Sequence, residues 1–341
     1  MKKNFLIILA LFMVWTGRAQ SADSSRYFYL RGLEERSNRL YLVAYNDLQR
    51  ALGYDSLNAD ALRETGLAAV DLRKYENAIL VFEKLLRVQP NDTTAVGQLA
   101  TLHFWTQHWE KAATYASRAL QLHAGQNNYY IMGKSYYELE DYGHAFSYLP
   151  TAALQDPKNA EIPYLIARAY VDMNNYRPAV PYFQKAISLD SSKLQWIYEC
   201  ALVFATLYDD KSAIQYYEIA AARGYKKDND FYENLADSYI ASGQTAKGLQ
   251  ILQDLLVKKP ADLDLLNSLG FTLYKLKKYD QAIDYWDRIL GYDKQNGHAL
   301  YMIGMAYQKK GDTEKGKALC EKAIALDPSL KNLKQEIKIE Q

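Results

Sequence analysis

From about residue 25 to 338, apolar side chains recur every three to four positions, the step that places them on one face of an α-helix. Tyr129, Met132, Tyr136 and Leu139 form one such stripe. No apolar–polar alternation bounded by hairpin turns interrupts the pattern, so helices are predicted throughout and strands nowhere. The stripes themselves repeat. Leu62–Phe82 and Tyr129–Phe146 share one skeleton: a mid-helix Gly, a polar turn with Tyr, then Ala and an aromatic residue. A 34-residue step keeps this frame through nine units, 25–58, 59–92, 93–125, 126–159, 160–193, 194–228, 229–262, 263–296 and 297–330. One unit is a residue short and one a residue long.

Position 8 of the units reads Gly32, Gly66, Ala100, Gly133, Ala167, Ala201, Ala236, Gly270 and Gly304. Position 20 reads Ala44, Ala78, Ala112, Ala145, Ala179, Ala213, Gly248, Ala282 and Gly316. All 18 are Gly or Ala, although these two types make up 58 of 341 residues, so the positions are under a common constraint. Two antiparallel helices with axes about 8–10 Å apart need small side chains where they cross. Gly costs roughly 1 kcal/mol inside a helix, so its presence there signals close approach. Bulky residues surround the crossing, with Phe82, Phe183, Tyr217 and Trp286 at position 24. Pro90, Pro157, Pro260 and Pro328 stand at position 32, where the second helix stops. Gly133-Lys134-Ser135 is then a packing glycine with its neighbours. A phosphate loop needs an earlier Gly, and Asn128 stands in its place.

These residues resemble the tetratricopeptide repeat family, whose W-x2-L-G-x2-Y…A-x3-F…A…P pattern is matched most fully by 59–92, 126–159 and 160–193. The resemblance covers about nine tenths of the chain. The first unit departs from it at Glu35, the sixth lacks its Pro, and the ninth has Cys320 for Phe. It implies an all-α, right-handed superhelical solenoid of about nine helix-turn-helix repeats. With no Pro/Gly/Ser-rich linker between 25 and 330, one domain is predicted, closed by a capping helix over 331–341 in which Leu333 and Ile337 share a face.

The first 19 residues break the pattern. Lys2 and Lys3 precede an apolar run from Phe5 to Trp15, then Gly17-Arg18-Ala19. This is the layout of a secretory signal peptide cut after Ala19, and eleven apolar residues fall short of the about 20 that span a bilayer. The leader is similar to those of Gram-negative bacteria, so an exported, periplasmic protein is expected, with 20–24 as a spacer and no integral membrane span after cleavage. Cleavage removes Lys2, Lys3 and Arg18 and takes the formal charge from +1 to −2, which leaves no electrostatic footprint for nucleic acid.

Catalytic and metal chemistry find no support. Cys200 and Cys320 fall three repeats apart, roughly 30 Å by helix spacing, too far for a disulfide. His103 takes a position filled by Tyr in other units and reads as a core histidine. No HExxH, GxSxG or GxGxxG occurs. No cofactor is expected, and the chain is read as a non-enzyme.

Function must therefore reside on the surface. The resemblance implies a groove lined by first-helix positions 2, 5, 9 and 12. In the fourth to sixth repeats these supply Asn127, Tyr130, Lys134, Tyr137, Tyr164, Arg168 and Tyr198, a basic-aromatic stretch rich in interface-forming types. The seventh and eighth supply Asp230, Glu233, Asp237 and Asp264, a second, acidic surface. A protein or peptide partner is expected, one with a carboxylate between apolar residues for the basic stretch. Position 9 carries no Asn, so the Lys-Asn carboxylate clamp of some family members is absent. The reading is a scaffold for an extended partner in cell-envelope assembly. The alternative is a binding or regulatory subunit of an envelope enzyme or transport complex whose catalysis lies on another chain.

Overall fold

The computed structural model describes residues 22–331, which contain 18 α-helices, a closing 3-10 turn at Pro328–Lys331 and no strand. The predicted leader and nearly all of the predicted capping helix lie outside the described residues. The chain divides into two compact units between Asp190 and Ser191, where the sequence predicts one domain. The division falls in a turn whose position 32 is Ser191 rather than Pro, and whose helix start, Lys193, has no side-chain cap.

The first unit holds α1 (22–37), α2 (Tyr41–Tyr54), α3 (Ala59–Asp71), α4 (Tyr75–Val88) and α5 (Thr93–Trp105). It continues with α6 (Trp109–Gln121), α7 (Asn128–Glu138), α8 (Tyr142–Gln155), α9 (Glu161–Asp172) and α10 (Tyr176–Leu189). The second unit holds α11 (Leu194–Thr206), α12 (Asp210–Ala222), α13 (Asn229–Ala241) and α14 (Thr245–Lys258). Its remaining helices are α15 (Leu263–Lys275), α16 (Tyr279–Tyr292), α17 (Gly297–Lys310) and α18 (Thr313–Leu326). Residues 22–24, expected in a spacer, form the first turn of α1, because the buried Ser25 hydroxyl donates to Ala51 O at 3.0 Å and ties that turn to α2.

Where position 8 of the first helix is Gly, position 24 of the second helix packs directly on it. A Cβ added to Gly133 would lie 2.6 Å from Leu149 Cδ2, and one on Gly66 would lie 2.6 Å from Phe82 Cε1. Leu149, Phe82, Phe183, Tyr217 and Trp286 are all buried at position 24. At Gly248 the approach is to the backbone itself, with a Cβ placed 2.6 Å from Ala236 O. The glycines therefore let large rings and second-helix backbones reach the first helix.

The turn inside each pair has one geometry. Arg39, Arg73, Gln107, Glu140, Asn174, Tyr208, Gly243, Lys277 and Gly311 all have positive φ, and all are position 15. In the second repeat Arg73 N donates to Val70 O at 2.8 Å and Lys74 N to Ala69 O at 2.8 Å, the paired bonds of a Schellman helix end. The same two bonds close the first helix of every other repeat, down to Gly311 N to Gln308 O and Asp312 N to Tyr307 O. Several helix starts are capped by side chains, as where Asn58, Asp92, Asp262 and Asn296 each accept a backbone N–H of the first turn.

Candidate partner-binding faces

In the first unit, α5, α7 and α9 are successive first helices, and α7 touches both of the others. Their shared face carries the predicted basic-aromatic residues. Tyr130 OH donates to Glu161 Oε2 at 2.7 Å, and Lys134 Nζ donates to Glu161 Oε1 at 2.6 Å. Lys134 Nζ also lies 5.7 Å from the centroid of the Phe104 ring, which is itself 5.7 Å from the Tyr130 ring. One step along, Tyr137 OH donates to Asp172 Oδ2 and Arg168 Nη2 to Asp172 Oδ1, both at 3.1 Å. Tyr164 sits edge-on to Phe183 with centroids 6.0 Å apart. Burial, then the bond to Glu161, holds the Tyr130 hydroxyl well above its ordinary value. Burial pushes Tyr137 up to about 12 against the opposing pull of Arg168. Both phenols are neutral donors at pH 7.

This corrects one expectation. Glu161 and Asp172 already occupy the places assigned to a partner's carboxylate, so the face is charge-balanced. Its half-exposed ion pairs each contribute at most about 1 kcal/mol, and what they fix is side-chain position. Tyr137 and Arg168 converge on one carboxylate, and Tyr130 and Lys134 on another. Asn127 stands apart, exposed at the start of α7 in a left-handed conformation and without a side-chain capping bond.

Tyr198, predicted beside them, belongs to the second unit and is buried, with 9% of its surface exposed. Tyr225 stacks on it at 4.8 Å, Phe231 and Tyr217 pack at 5.8 Å, and its hydroxyl accepts from Asn234 Nδ2 at 3.0 Å. Tyr225 stands at position 32 of the sixth repeat, where four other repeats have Pro. The missing Pro thus supplies the ring that covers Tyr198 and converts a predicted groove residue into core.

The acidic residues lie on α13 and α15. Asp230, Glu233 and Asp237 are spaced three and four apart on one face of α13, and Asp264 is in the first turn of α15. The Glu233 carboxyl is raised by burial and by Asp262, Asp230, Asp237 and Asp264 around it. Asp237 is raised by burial, with Lys275 pulling the other way. Its side chain is open to solvent but has protein on several sides, which lowers its hydration without covering it. Lys275 Nζ also lies 4.6 Å from the Phe271 ring centroid.

Back in the first unit, a cavity of about 680 Å³ opens between α5 and the start of α7. Gly97 is at position 5, where the following repeats carry Tyr130 and Tyr164. A Cβ on Gly97 would lie 3.2 Å from the Gly125 Cα, so the shortened inter-repeat turn touches α5 directly. Phe104, Trp105 and Tyr130 are among its lining residues.

Family models described as tetratricopeptide repeat match residues 29–93, 164–229 and 233–298, and a second such model matches 297–330. The first alone covers more than half of the chain. The chain belongs to the tetratricopeptide repeat family. A model described as anaphase-promoting complex, cyclosome, subunit 3 matches 71–152 and 105–186. No curated protein matches the chain significantly in sequence. Among solved structures, YrrB, described as a TPR protein with an unusual peptide-binding site, aligns with a TM-score of 0.41 and 23% identity, over 53% of this chain and 92% of its own. Naa15/Naa10 bound to HypK-THB aligns with a TM-score of 0.47 and 12% identity, over 89% of this chain and 64% of its own.

In these tetratricopeptide repeats the sequence reading did not single out Glu161 and Gly97, although they stand at groove positions 2 and 5, and Asp172, at position 13, falls outside the groove positions. Arg168 and Asp172 are four apart on one helix, a signal that charge patterning alone carries. Elsewhere the chemistry is structural. His103 is buried, stacks on Tyr115 at 5.4 Å, and is held down to about 4 by burial and by Lys111 and His108. Cys200 and Cys320 are buried and not joined in a disulfide, and burial pushes the Cys200 thiol up to about 12. Among the described residues, no cluster of three or more His, Cys, Asp or Glu could hold a metal ion, and no helix is long and apolar enough to cross a membrane.

Proposed function

We propose that this chain is an exported, non-enzymatic scaffold that holds an extended segment of a protein partner along the α5–α7–α9 face, in cell-envelope assembly. The observation that carries the reading is the ordered aromatic and ionic ladder Tyr130–Glu161–Lys134 and Tyr137–Asp172–Arg168 on adjacent first helices. Tyr and Arg are the residue types that most often supply interface energy, and here internal partners hold them in place before a ligand arrives. Because the charges are balanced, the face suits backbone amides and neutral side chains of the partner. The acidic α13–α15 face is a second surface of the same protein. The leader-like segment at 1–19 supports the periplasm as its place of work.

Photo-crosslinking in an exporting host tests this. A benzoyl-phenylalanine at Tyr137 should capture a discrete envelope protein, while the same group at Leu154, which is 83% exposed on the second helix α8, should not. Equal capture from both positions, or none from 137, would contradict the reading. The mature protein from the same cells should begin at Gln20 and fractionate with the periplasm.

A further inference from the structure

We propose that the cavity between α5 and α7 is an anchor pocket for a tyrosine or tryptophan side chain of the partner segment, an inference that rests on the peptide-binding reading of the α5–α7–α9 face.

Three features of the cavity select this occupant. Its fourteen lining residues include no Asp, Glu, Lys or Arg, although ion pairs run along the rest of the face. A charged side chain would lose hydration there without gaining a countercharge. The walls are aromatic: Phe104 and Tyr130 are tilted 59° to each other, and Trp105, 52% exposed, packs at 5.3 Å on Tyr75. Exposed indole beside two further rings offers edge-to-face contacts to an entering ring. Much of the remaining lining is hydrogen-bonding, with Thr94, Gln98, Asn127 and the His123 imidazole among it. An apolar body with one polar handle matches that mixture better than an aliphatic side chain does.

The chain builds the space deliberately. Gly97 removes the side chain that Tyr130 and Tyr164 supply at the same position of the next two repeats, and Gly125 closes the floor against it. At about 680 Å³ the cavity exceeds one aromatic side chain and admits part of its flanking backbone. Tyr130 belongs both to the pocket and to the ionic ladder, so the two are continuous. First helices about 10 Å apart and an extended peptide of about 3.3 Å per residue place the anchor roughly five residues from the segment lying over Tyr164 and Arg168.

The test selects peptides from a random twelve-residue phage library on the full chain and titrates synthetic copies. The expected result is enrichment of Tyr or Trp at one position, with at least tenfold weaker binding when that residue is changed to Ala. Thr101→Trp, which fills the cavity from its wall, should weaken binding by the same factor and make the peptide's Ala change silent. Gln98→Trp is the second filling variant if the first fails to fold, and a benzoyl-phenylalanine at the peptide's anchor should cross-link within residues 93–131. Peptides that bind, respond to Tyr164→Ala plus Arg168→Ala, yet show no aromatic preference and ignore both fillers would overturn the pocket and keep the groove. Peptides indifferent to every variant would overturn both. If no peptide is selected, N-acetyl-tryptophanamide should still shift Ile131 methyl resonances where N-acetyl-lysinamide does not. Equal or absent shifts would overturn the pocket alone.

Discussion

Position 15 offers a quantitative test of how the repeats are built. Tyr208 has φ 59° and is 90% exposed, so a bulky side chain sits in the left-handed region at the end of α11 with little packing to offset it. For an L-residue this conformation costs roughly 1–2 kcal/mol, from the Cβ against the following carbonyl. Gly removes that cost but adds about 0.4–1 kcal/mol of unfolded-state entropy. Tyr208→Gly should therefore stabilise the protein by about 0.5–1 kcal/mol. Tyr208→Ala keeps the Cβ and should change stability by less than about 0.3 kcal/mol on the same argument. Urea unfolding followed by circular dichroism reads both, with the midpoint shift compared at constant slope. Arg73→Gly and Lys277→Gly, at φ 56° and 61°, should each add a similar increment, and sites this far apart should be additive. If Ala gains as much as Gly, the effect is surface hydrophobicity and not backbone strain. If Gly destabilises, the left-handed turn is not the stored cost described.

Other perturbations separate packing from surface. Gly133→Leu drives a side chain into Leu149, whose Cδ2 would lie 2.6 Å from the new Cβ, and should cost about 3 kcal/mol or more in the same unfolding assay. Gly53→Ala on α2, where a Cβ meets nothing within 4 Å, should instead raise stability by up to about 0.5 kcal/mol. His103 is depressed in the fold to about 4, so between pH 6.5 and 4 the unfolded chain binds the extra proton and the stability His103 contributes is lost as pH falls. A His103→Phe variant should show a shallower decline across that window than the parent, with the two curves parallel above pH 7. Parallel curves throughout would mean His103 titrates normally.

The parts of this fold that were legible in the sequence are those that nine copies average. Small residues at positions 8 and 20 and bulky ones at 24 recur because every helix pair must solve the same crossing, and the all-α class follows from them. The turn at position 15 was not legible, since only Gly243, Gly311 and Asn174 announce it while Arg, Gln, Glu, Tyr and Lys adopt the same φ. There the paired backbone bonds outweigh local preference. On the candidate site, side-chain types were legible but partners were not. Lys134 meets Glu161 only because position 9 of one repeat faces position 2 of the next. Arg36 with Asp71, and Tyr137 with Asp172, show the corresponding relation between positions 12 and 13. Irregular copies misled most: the absent Pro at Tyr225 buried Tyr198, and the shortened third repeat brought Gly125 onto Gly97 and opened the cavity.

The central claim is that the α7–α9 face binds the partner. It is tested most directly by the affinity of the protein cross-linked through position 137 for the Tyr164→Ala plus Arg168→Ala variant. If these residues are hot spots, binding should weaken by about 2 kcal/mol or more, roughly thirtyfold, with the helical spectrum unchanged. Unchanged affinity in a folded double variant would contradict the account.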